Sequence, residues 1–452
     1  MGFNTLPFIF IFLPVFLAVY YLMPERLRNG VLALGSLVFY LLGTWKRPWC
    51  LALLLGLMAL TWLSGRKLAG SKPLLVGNLL VLGLCLFGFK YAGLLGSGIA
   101  LPLGLSFYSF QMAAYVIDVY RGRMEPEECP VSYAAEILMF PKLLSGPLMD
   151  PADLKEQMYR RTCTLRKLDA GLRDFIIGLS MKVLLANQIG GLWRQVKTIG
   201  FESVSTPMAW LGLVAYSLQL YLDFCGYSWM AIGVGEMLGF RLPRNFEHPY
   251  AARSMRDFWR RWHISLSSWF RDYVYIPLGG NRVSKAKWFR NIFIVWLLTG
   301  LWHGAAWTFI LWGLFFAVFL TAEKLWYGQA LAQTRFLKHL YVLLLIAVSF
   351  VIFDAASVSG AFRTIASLFG LGGLPRSDAL ARYYFDSYSG VFLVAIVGAT
   401  PLPAKIVRQF SEDGPGKKIM SVVEPVVLLA LLAVVTAYLV DGSFNPFLYF
   451  RF

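Results

Sequence analysis

One stretch of the sequence, Ile292–Ala322, limits what this chain can fold into more than any other. It reads IFIVWLLTGLWHGAAWTFILWGLFFAVFLTA and contains no Lys, Arg, Asp or Glu. A single helix of this length would be roughly 46 Å long at about 1.5 Å per residue, whereas the hydrocarbon core of a bilayer is about 30 Å thick. The stretch is therefore predicted either to tilt and protrude, or to break near Gly300 and Gly304 into two shorter helices.

His303 is the one ionisable side chain near the middle of this stretch. A break there would place the imidazole at membrane depth, beside backbone groups that only protein or a water-filled cavity can satisfy. Ionisable groups in such positions are costly and usually functional. The alternative is a core histidine that is bonded to a neighbouring carbonyl. We favour a function for His303.

The composition assigns the whole chain to the membrane. Of its 452 residues 58% are hydrophobic and 15% are charged, against about 25% charged in soluble proteins. Long apolar runs recur along the chain, so an all-α polytopic membrane protein in a lipid bilayer is predicted. The net charge of +17 is spread over segments between the apolar runs. It therefore indicates basic loops that face anionic lipid, and no nucleic acid is expected as a partner.

Cysteine and histidine show no metal-binding pattern. The five cysteines lack a CxxC spacing and the four histidines lack HExxH or another paired spacing. No metal site and no disulfide framework are expected.

The apolar runs predict membrane helices along the whole chain, and the first of them (residues 1–23) has no cleavage signal. One segment, Met139–Asp150, holds Pro141 and Pro147 and is predicted to be broken or re-entrant. The other predicted spans are Gly30–Thr44, Trp49–Leu63, Leu74–Leu94, Phe175–Leu192, Pro207–Phe240, His339–Phe353, Gly390–Pro401 and Val422–Val440.

The segment Arg241–Arg290 is too polar to lie against lipid, since it carries eleven basic and three acidic residues. Its central part, SMRDFWRRWHISLSSWF, has the period of an amphipathic helix. Trp259, His263, Leu266 and Phe270 would form one stripe, and Arg253, Arg256 and Arg260 the adjacent ridge. The pattern fits both an interfacial helix and a cavity wall whose arginines bind phosphate.

Asp223 is a carboxylate within an apolar run, LYLDFCGYS. It could pair with an arginine for structure or orient a histidine in the site. Structural pairing is favoured, because buried acids are usually paired.

Several long motifs, in the same order, resemble the membrane-bound O-acyltransferase (MBOAT) superfamily, in the bacterial branch named for the alginate O-acetylation membrane subunit. They are LPLGLSFYSFQMAAYVIDVYRG, FPKLLSGPL, LQLYLDFCGYSWMAIG, LPRNFEHPY, RDFWRRWHISLSSWFRDYVYIPLGGNR and LTGLWHGAAWTFILWGL. Together they cover residues 101–325. Trp229, where the family commonly has an acid, and Asp354, where many relatives have arginine, are departures.

The resemblance implies a single membrane domain over residues 1–452, with N-terminal helices in 1–100, a core in 101–325 and C-terminal helices in 326–452. It implies a ring of about 11 transmembrane helices, with re-entrant and interfacial helices, around a central tunnel. His303 would be the catalytic histidine and His263 the second characteristic histidine. Beyond the resemblance, we expect His263 to be catalytic together with His303 and substrates to contact Arg256, Arg260, Trp259, Asn245 and Asp223. His263, Asn245 or Ser265 could stabilise the oxyanion, and the sequence does not choose among them.

The resemblance also implies the substrates and partners. No cofactor would be tightly bound, and the donor would be acetyl-CoA or the thioester of an acyl carrier protein. The acceptor would be an exopolysaccharide, reached through a periplasmic or extracellular SGNH-type (Ser-His-Asp) acetyltransferase. The protein would lie in the bacterial cytoplasmic (inner) membrane.

Three other functions stay open at the level of sequence. A transporter or flippase for acyl groups or glycans would also use interrupted spans with intramembrane His and Asp, although no internal repeat is found. A scaffold for the partner acetyltransferase would not need a membrane histidine. Transfer of D-alanine to teichoic acid is a third, and the sequence IPLGGNR favours the polysaccharide branch over it.

Overall fold

The computed structural model of the protein describes residues 2–92, 99–200, 203–371, 373, 375–411 and 415–441. Throughout these ranges the regular structure is helical and no strand is present. The all-α prediction is confirmed. The chain divides into two compact units.

The first unit comprises residues 1–178 and 227–244. In sequence, the helices Pro130–Leu138 and Pro151–Arg160 precede and follow the proline-containing segment Met139–Asp150. The helices are Phe8–Phe12 (π), Leu13–Leu22, Glu25–Leu27 (3-10), Arg28–Thr44, Trp49–Gly65, Lys72–Tyr91, Leu105–Tyr120, Pro130–Leu138, Phe140–Leu143, Pro151–Arg160 and the greater part of Leu165–Ser180.

The second unit comprises residues 179–226 and 245–452. The helix Thr206–Met237 starts in it and ends in the first unit. The other helices of the second unit are Met181–Ala186 (π), Asn187–Ile199, Pro249–Ala251 (3-10), Met255–Arg261, Ile264–Phe270, Arg271–Tyr275 (π), Lys285–His303, Trp307–Ala322, Glu323–Tyr327 (π), Gly328–Gln333, Leu337–Asp354, Val358–Leu368, Ala379–Gly398, Leu402–Ser411 and Pro415–Val440.

Among the described residues, seven helices are long and apolar enough to cross a membrane, or eight if the bent pair Ala379–Gly398 and Leu402–Phe410 forms one span. Two shorter apolar helices, Phe8–Leu22 and Trp49–Gly65, agree with further predicted spans. The protein is thus a multi-pass membrane protein. The number of about 11 helices, the ring, the tunnel and the single domain over residues 1–452 stay predictions.

The proline-containing segment Met139–Asp150 forms one helical turn, Phe140–Leu143, followed by irregular backbone. The predicted interruption is confirmed. Residues 140–149 are all buried, as irregular backbone must be when it lies at membrane depth.

The stretch around His303 breaks as predicted, after His303. The helix Lys285–His303 (the His303 helix) ends there, and the helix Trp307–Ala322 (the Trp312 helix) begins after three intervening residues. Gly300 stays inside the first helix. A Cβ at Gly300 would overlap the backbone oxygen of Phe309, and a Cβ at Gly313 that of Trp296. The two glycines therefore allow these helices to pack backbone to backbone.

Candidate active site

His303 is buried, with 5% of its surface exposed, and is the last residue of its helix. Its imidazole is surrounded by four aromatic rings from the His303 helix, the Trp312 helix and Leu337–Asp354. The distances between ring centroids are 4.6 Å to Trp302, 4.9 Å to Phe353, 5.0 Å to Trp312 and 6.1 Å to Phe309.

His263 does not lie on a continuous helix, so the predicted stripe of Trp259, His263, Leu266 and Phe270 is wrong. One helix ends at Arg261 and the next begins at Ile264. His263 lies between them in the left-handed region, with φ of 44°. Hydrogen bonds from outside the segment offset this unusual conformation, since the N–H of Ile264 donates to the backbone oxygen of Asn245 at 2.9 Å.

The side chain of Asn245 determines which nitrogen of His263 carries the proton. Asn245 Oδ1 accepts from the backbone N–H of Ser265 at 3.2 Å and from Ser265 Oγ at 2.7 Å, and lies 3.3 Å from His263 Nδ1. The backbone N–H can only donate, so the amide oxygen faces these groups, and an amide oxygen can only accept. His263 Nδ1 therefore carries the proton, and Nε2 carries the lone pair.

This arrangement limits what His263 and Ser265 can do. Burial lowers the pKa of His263 to about 3, so the ring is neutral at pH 7 and Nε2 acts as an acceptor. The hydroxyl proton of Ser265 is donated to Asn245. Neither side chain is therefore poised to donate to an oxyanion, the role that the sequence left open for both.

The two histidines lie in one neighbourhood. The ring centroid of Trp302 is 4.6 Å from that of His303 and 6.4 Å from that of His263. The ring of Phe224 packs against the imidazole of His263, with ring centroids 4.7 Å apart. The structure thus brings His303, His263 and Asn245 together through one tryptophan.

Trp259 connects the arginine-bearing helix to this neighbourhood. Its ring lies 4.7 Å from Trp296, 4.8 Å from Phe316 and 5.8 Å from Trp312, while Arg256 and Arg260 on the same helix are exposed. The amide of Met255 at the start of this helix donates to the Glu323 carboxylate at 2.7 Å. That carboxylate already occupies the N-terminus of this helix, so the backbone amide of Met255 is not available to an anion.

Asp223 forms a buried ion pair, but its partner is a lysine and not an arginine. Its carboxylate accepts from Lys182 Nζ, and each residue is 1% exposed. The predicted preference for structural pairing agrees with this contact.

Several residues of this neighbourhood were not found by sequence reasoning. Trp302 and Trp312 lie within the quoted motif LTGLWHGAAWTFILWGL, so their proximity to His303 in sequence was an available signal. Phe353 and Lys182 lie in other helices, and nothing in their local sequence indicates which residues they contact.

Comparisons with known proteins identify the family of this chain. The family model of the membrane-bound O-acyltransferase family matches residues 129–362, which include both histidines. The chain belongs to the membrane-bound O-acyltransferase family. It is 36% identical to the probable alginate O-acetylase of Azotobacter vinelandii over 100% of both chains. It is 33% identical to the peptidoglycan O-acetyltransferase of Helicobacter pylori, over 82% of this chain and 80% of that one.

A more distant relative is the teichoic acid D-alanyltransferase of Bacillus subtilis, which is 30% identical over 48% of this chain and 58% of its own length. Membership of the O-acyltransferase family confirms the predicted fold class and enzyme class. The transporter and scaffold alternatives are set aside, because this membrane-bound O-acyltransferase matches enzymes over its whole length.

Proposed function

We propose that this protein is an O-acetyltransferase of the cytoplasmic membrane, with His303 as its general base. It would move an acetyl group from a cytoplasmic thioester to a hydroxyl group on its way to an extracellular or periplasmic polysaccharide. The observation that carries the proposal is the buried imidazole of His303, which ends a helix and is enclosed by four aromatic rings.

The reaction proceeds in two steps. His303 takes the proton of the acceptor hydroxyl while the hydroxyl oxygen attacks the thioester carbonyl carbon, whose C=O electron pair moves onto oxygen. The pair then returns, the C–S bond breaks, and the thiolate takes the proton from His303. The products are an ester and a free thiol. General acid–base catalysis of this kind contributes roughly 10²–10⁴ in rate.

His263 would act as a positioning residue. Its Nε2 lone pair can accept a hydrogen bond from a second hydroxyl of the acceptor, next to the one that reacts, while Asn245 holds the ring through Nδ1. A neutral acceptor of this kind orients the acceptor and leaves the proton of the attacking hydroxyl to His303.

The donor would be a co-substrate and not a tightly bound cofactor. The exposed guanidinium groups of Arg256 and Arg260 suit the phosphates of coenzyme A or of the phosphopantetheine of an acyl carrier protein, because the planar fork of arginine binds phosphate in bidentate fashion.

The acceptor proposed first is alginate or a related exopolysaccharide, because a relative that matches over its whole length is named a probable alginate O-acetylase. Peptidoglycan is the second candidate, after the Helicobacter pylori enzyme. D-alanylation of teichoic acid has weaker support, since that relative covers 48% of this chain. A partner acetyltransferase with a Ser-His-Asp site is proposed to complete the transfer.

The test uses the full chain in detergent or in liposomes, with acetyl-CoA as donor. His303→Ala is expected to lower thiol release by at least about 10²-fold and to abolish acetylation of the polysaccharide in cells. His339→Ala is the matched control. His339 is not among the residues that contact His303, and its Nδ1 lies 3.1 Å from the backbone oxygen of Ala252. Full thiol release by His303→Ala would reject the proposal.

The donor site is tested in the same assay. Arg256→Gln combined with Arg260→Gln is expected to raise the KM for acetyl-CoA with little change in kcat, since the arginines would bind the donor far from the reacting carbon. Arg271→Gln is the control, because Arg271 is already paired with Asp272 at 2.7 Å. An unchanged KM in the double variant would exclude these arginines from donor binding.

A further inference from the structure

The indole N–H of Trp312 is buried next to His303. Trp312 is 4% exposed, and its Nε1 atom is shielded from solvent and finds no acceptor within the described ranges of the chain. Buried donors are nearly always hydrogen-bonded, because leaving one unpaired is costly. A donor of this kind beside a reacting group needs an explanation.

The helix packing holds this tryptophan in place. The close approach permitted by Gly300 and Gly313 brings the Trp312 ring to 5.0 Å from the His303 ring, at an interplanar angle of 83°. Phe316 and Phe353 pack on the same indole at 5.1 Å and 5.3 Å. Trp312 is therefore fixed by aromatic contacts, and its N–H is not needed to anchor it.

Trp259 has the same property. Its Nε1 is also buried and without an acceptor in the part of the chain that the structure describes. The two indoles are in contact, with centroids 5.8 Å apart. Trp259 lies on the helix of the exposed Arg256 and Arg260, and through Trp312 this helix is connected to His303.

The ligand that fits these donors contains carbonyl groups in an apolar arm. A thioester of a pantetheine thiol has this chemistry, with one carbonyl at the reacting end and amide carbonyls along the arm. We propose that the Trp312 N–H donates a hydrogen bond to the thioester carbonyl oxygen and that the Trp259 N–H donates to the nearest amide carbonyl of the arm. The inference rests on the proposed function and deepens it.

Trp312 would then act on the transition state. When the hydroxyl attacks, the C=O electron pair moves onto the carbonyl oxygen, and the N–H stabilises the negative charge until the pair returns and the C–S bond breaks. Donors fixed in advance in a water-poor site are effective in this role, because they need no reorganisation during the reaction.

The experiment measures kcat and KM of the full chain with three acetyl donors: acetyl-CoA, S-acetyl-N-acetylcysteamine, which has one amide in its arm, and S-ethyl thioacetate, which has none. Trp312→Phe is expected to lower kcat by about 10²-fold for every donor, as removal of an oxyanion donor does, with KM changed by less than about threefold. Trp259→Phe is expected to raise KM for the two amide-bearing donors only.

Trp210→Phe is the matched control, because its Nε1 donates to the backbone oxygen of Leu368 at 2.7 Å. It is expected to lower thermal stability and leave kcat unchanged. A second variant separates shape from hydrogen bonding: 3-benzothienylalanine at position 312 keeps the bicyclic ring and replaces N–H by sulfur. It is expected to reproduce the kcat loss of Trp312→Phe at an unchanged thermal midpoint.

A kcat near that of the unsubstituted protein for the benzothienylalanine variant would overturn the role of the Trp312 N–H. If His303→Ala is inactive in the same assay, the proposed function stands while this inference falls. If His303→Ala is active, the proposed function itself falls. An equal rise in KM for all three donors in Trp259→Phe would overturn the amide contact.

Discussion

His263 shows how a single residue depends on a distant part of the chain. Its tautomer and its left-handed backbone are both held by Asn245, which lies 18 residues earlier. The helical period placed His263 on a stripe with Trp259, but a period describes only residues that share one helix. The resemblance marked both histidines, and neither it nor the period indicated the break between Arg261 and Ile264.

The low pKa of His263 predicts a pH dependence of stability. Burial lowers the pKa to about 3, against about 6.5 in an unfolded chain, so the folded protein binds fewer protons than the unfolded one at intermediate pH. The stability that comes from this neutral histidine is present above pH 6.5 and is lost as the pH falls toward 3.

We therefore expect the thermal midpoint in detergent to fall between pH 7.5 and pH 5, and to fall less steeply in His263→Gln. The glutamine is neutral at every pH, and its amide can still donate to Asn245. Parallel curves for His263→Gln and the unsubstituted protein would show that the pKa of His263 does not change on unfolding.

At the scale of elements, the interruption after His303 and most spans were predictable, because hydropathy and proline act locally. The sequence did not predict which helices pack against each other. Phe353 contacts His303 from the helix Leu337–Asp354 through tertiary packing. Of the two glycines near which the break was predicted, Gly304 follows the end of the helix, while Gly300 lies inside it at a packing position.

The backbone contact of the His303 and Trp312 helices leads to a prediction. Gly300→Ala and Gly313→Ala would each place a methyl group against a backbone carbonyl, which cannot move as a side-chain tip can. We expect each variant to lose about 1–3 kcal/mol of stability and at least about tenfold in thiol release, because Trp312 moves relative to His303.

Gly77→Ala is the control for this pair. Gly77 lies inside the helix Lys72–Tyr91, and nothing stands within 4 Å of an added Cβ. Alanine there is expected to be neutral or to stabilise by about 0.5–1 kcal/mol. Full activity of Gly313→Ala would contradict the need for close helix packing.

At the scale of the whole molecule, composition was enough to predict the class. A chain that is 58% hydrophobic and 15% charged has few ways to fold outside a bilayer. Composition could not predict how the remaining buried charges are neutralised. Asp223 was expected to pair with arginine, and its partner Lys182 lies in the preceding helical run.

The pair leads to a prediction for the intact protein. Lys182→Met or Asp223→Leu alone leaves a buried charge without its partner, and each is expected to cost about 3–5 kcal/mol. The double variant is expected to recover most of that loss, measured as the thermal midpoint and as the amount of protein in the membrane. A double variant less stable than both single variants would contradict this.

The same pair has a consequence for how the protein is made. Lys182 and Asp223 are 41 residues apart, in consecutive apolar segments, and either charge alone at the centre of an inserting helix costs about 2.5–3.5 kcal/mol. The ribosome delivers the lysine first. We expect its segment to remain beside the translocon until the next segment brings the carboxylate, so that both enter the lipid as one neutral hairpin.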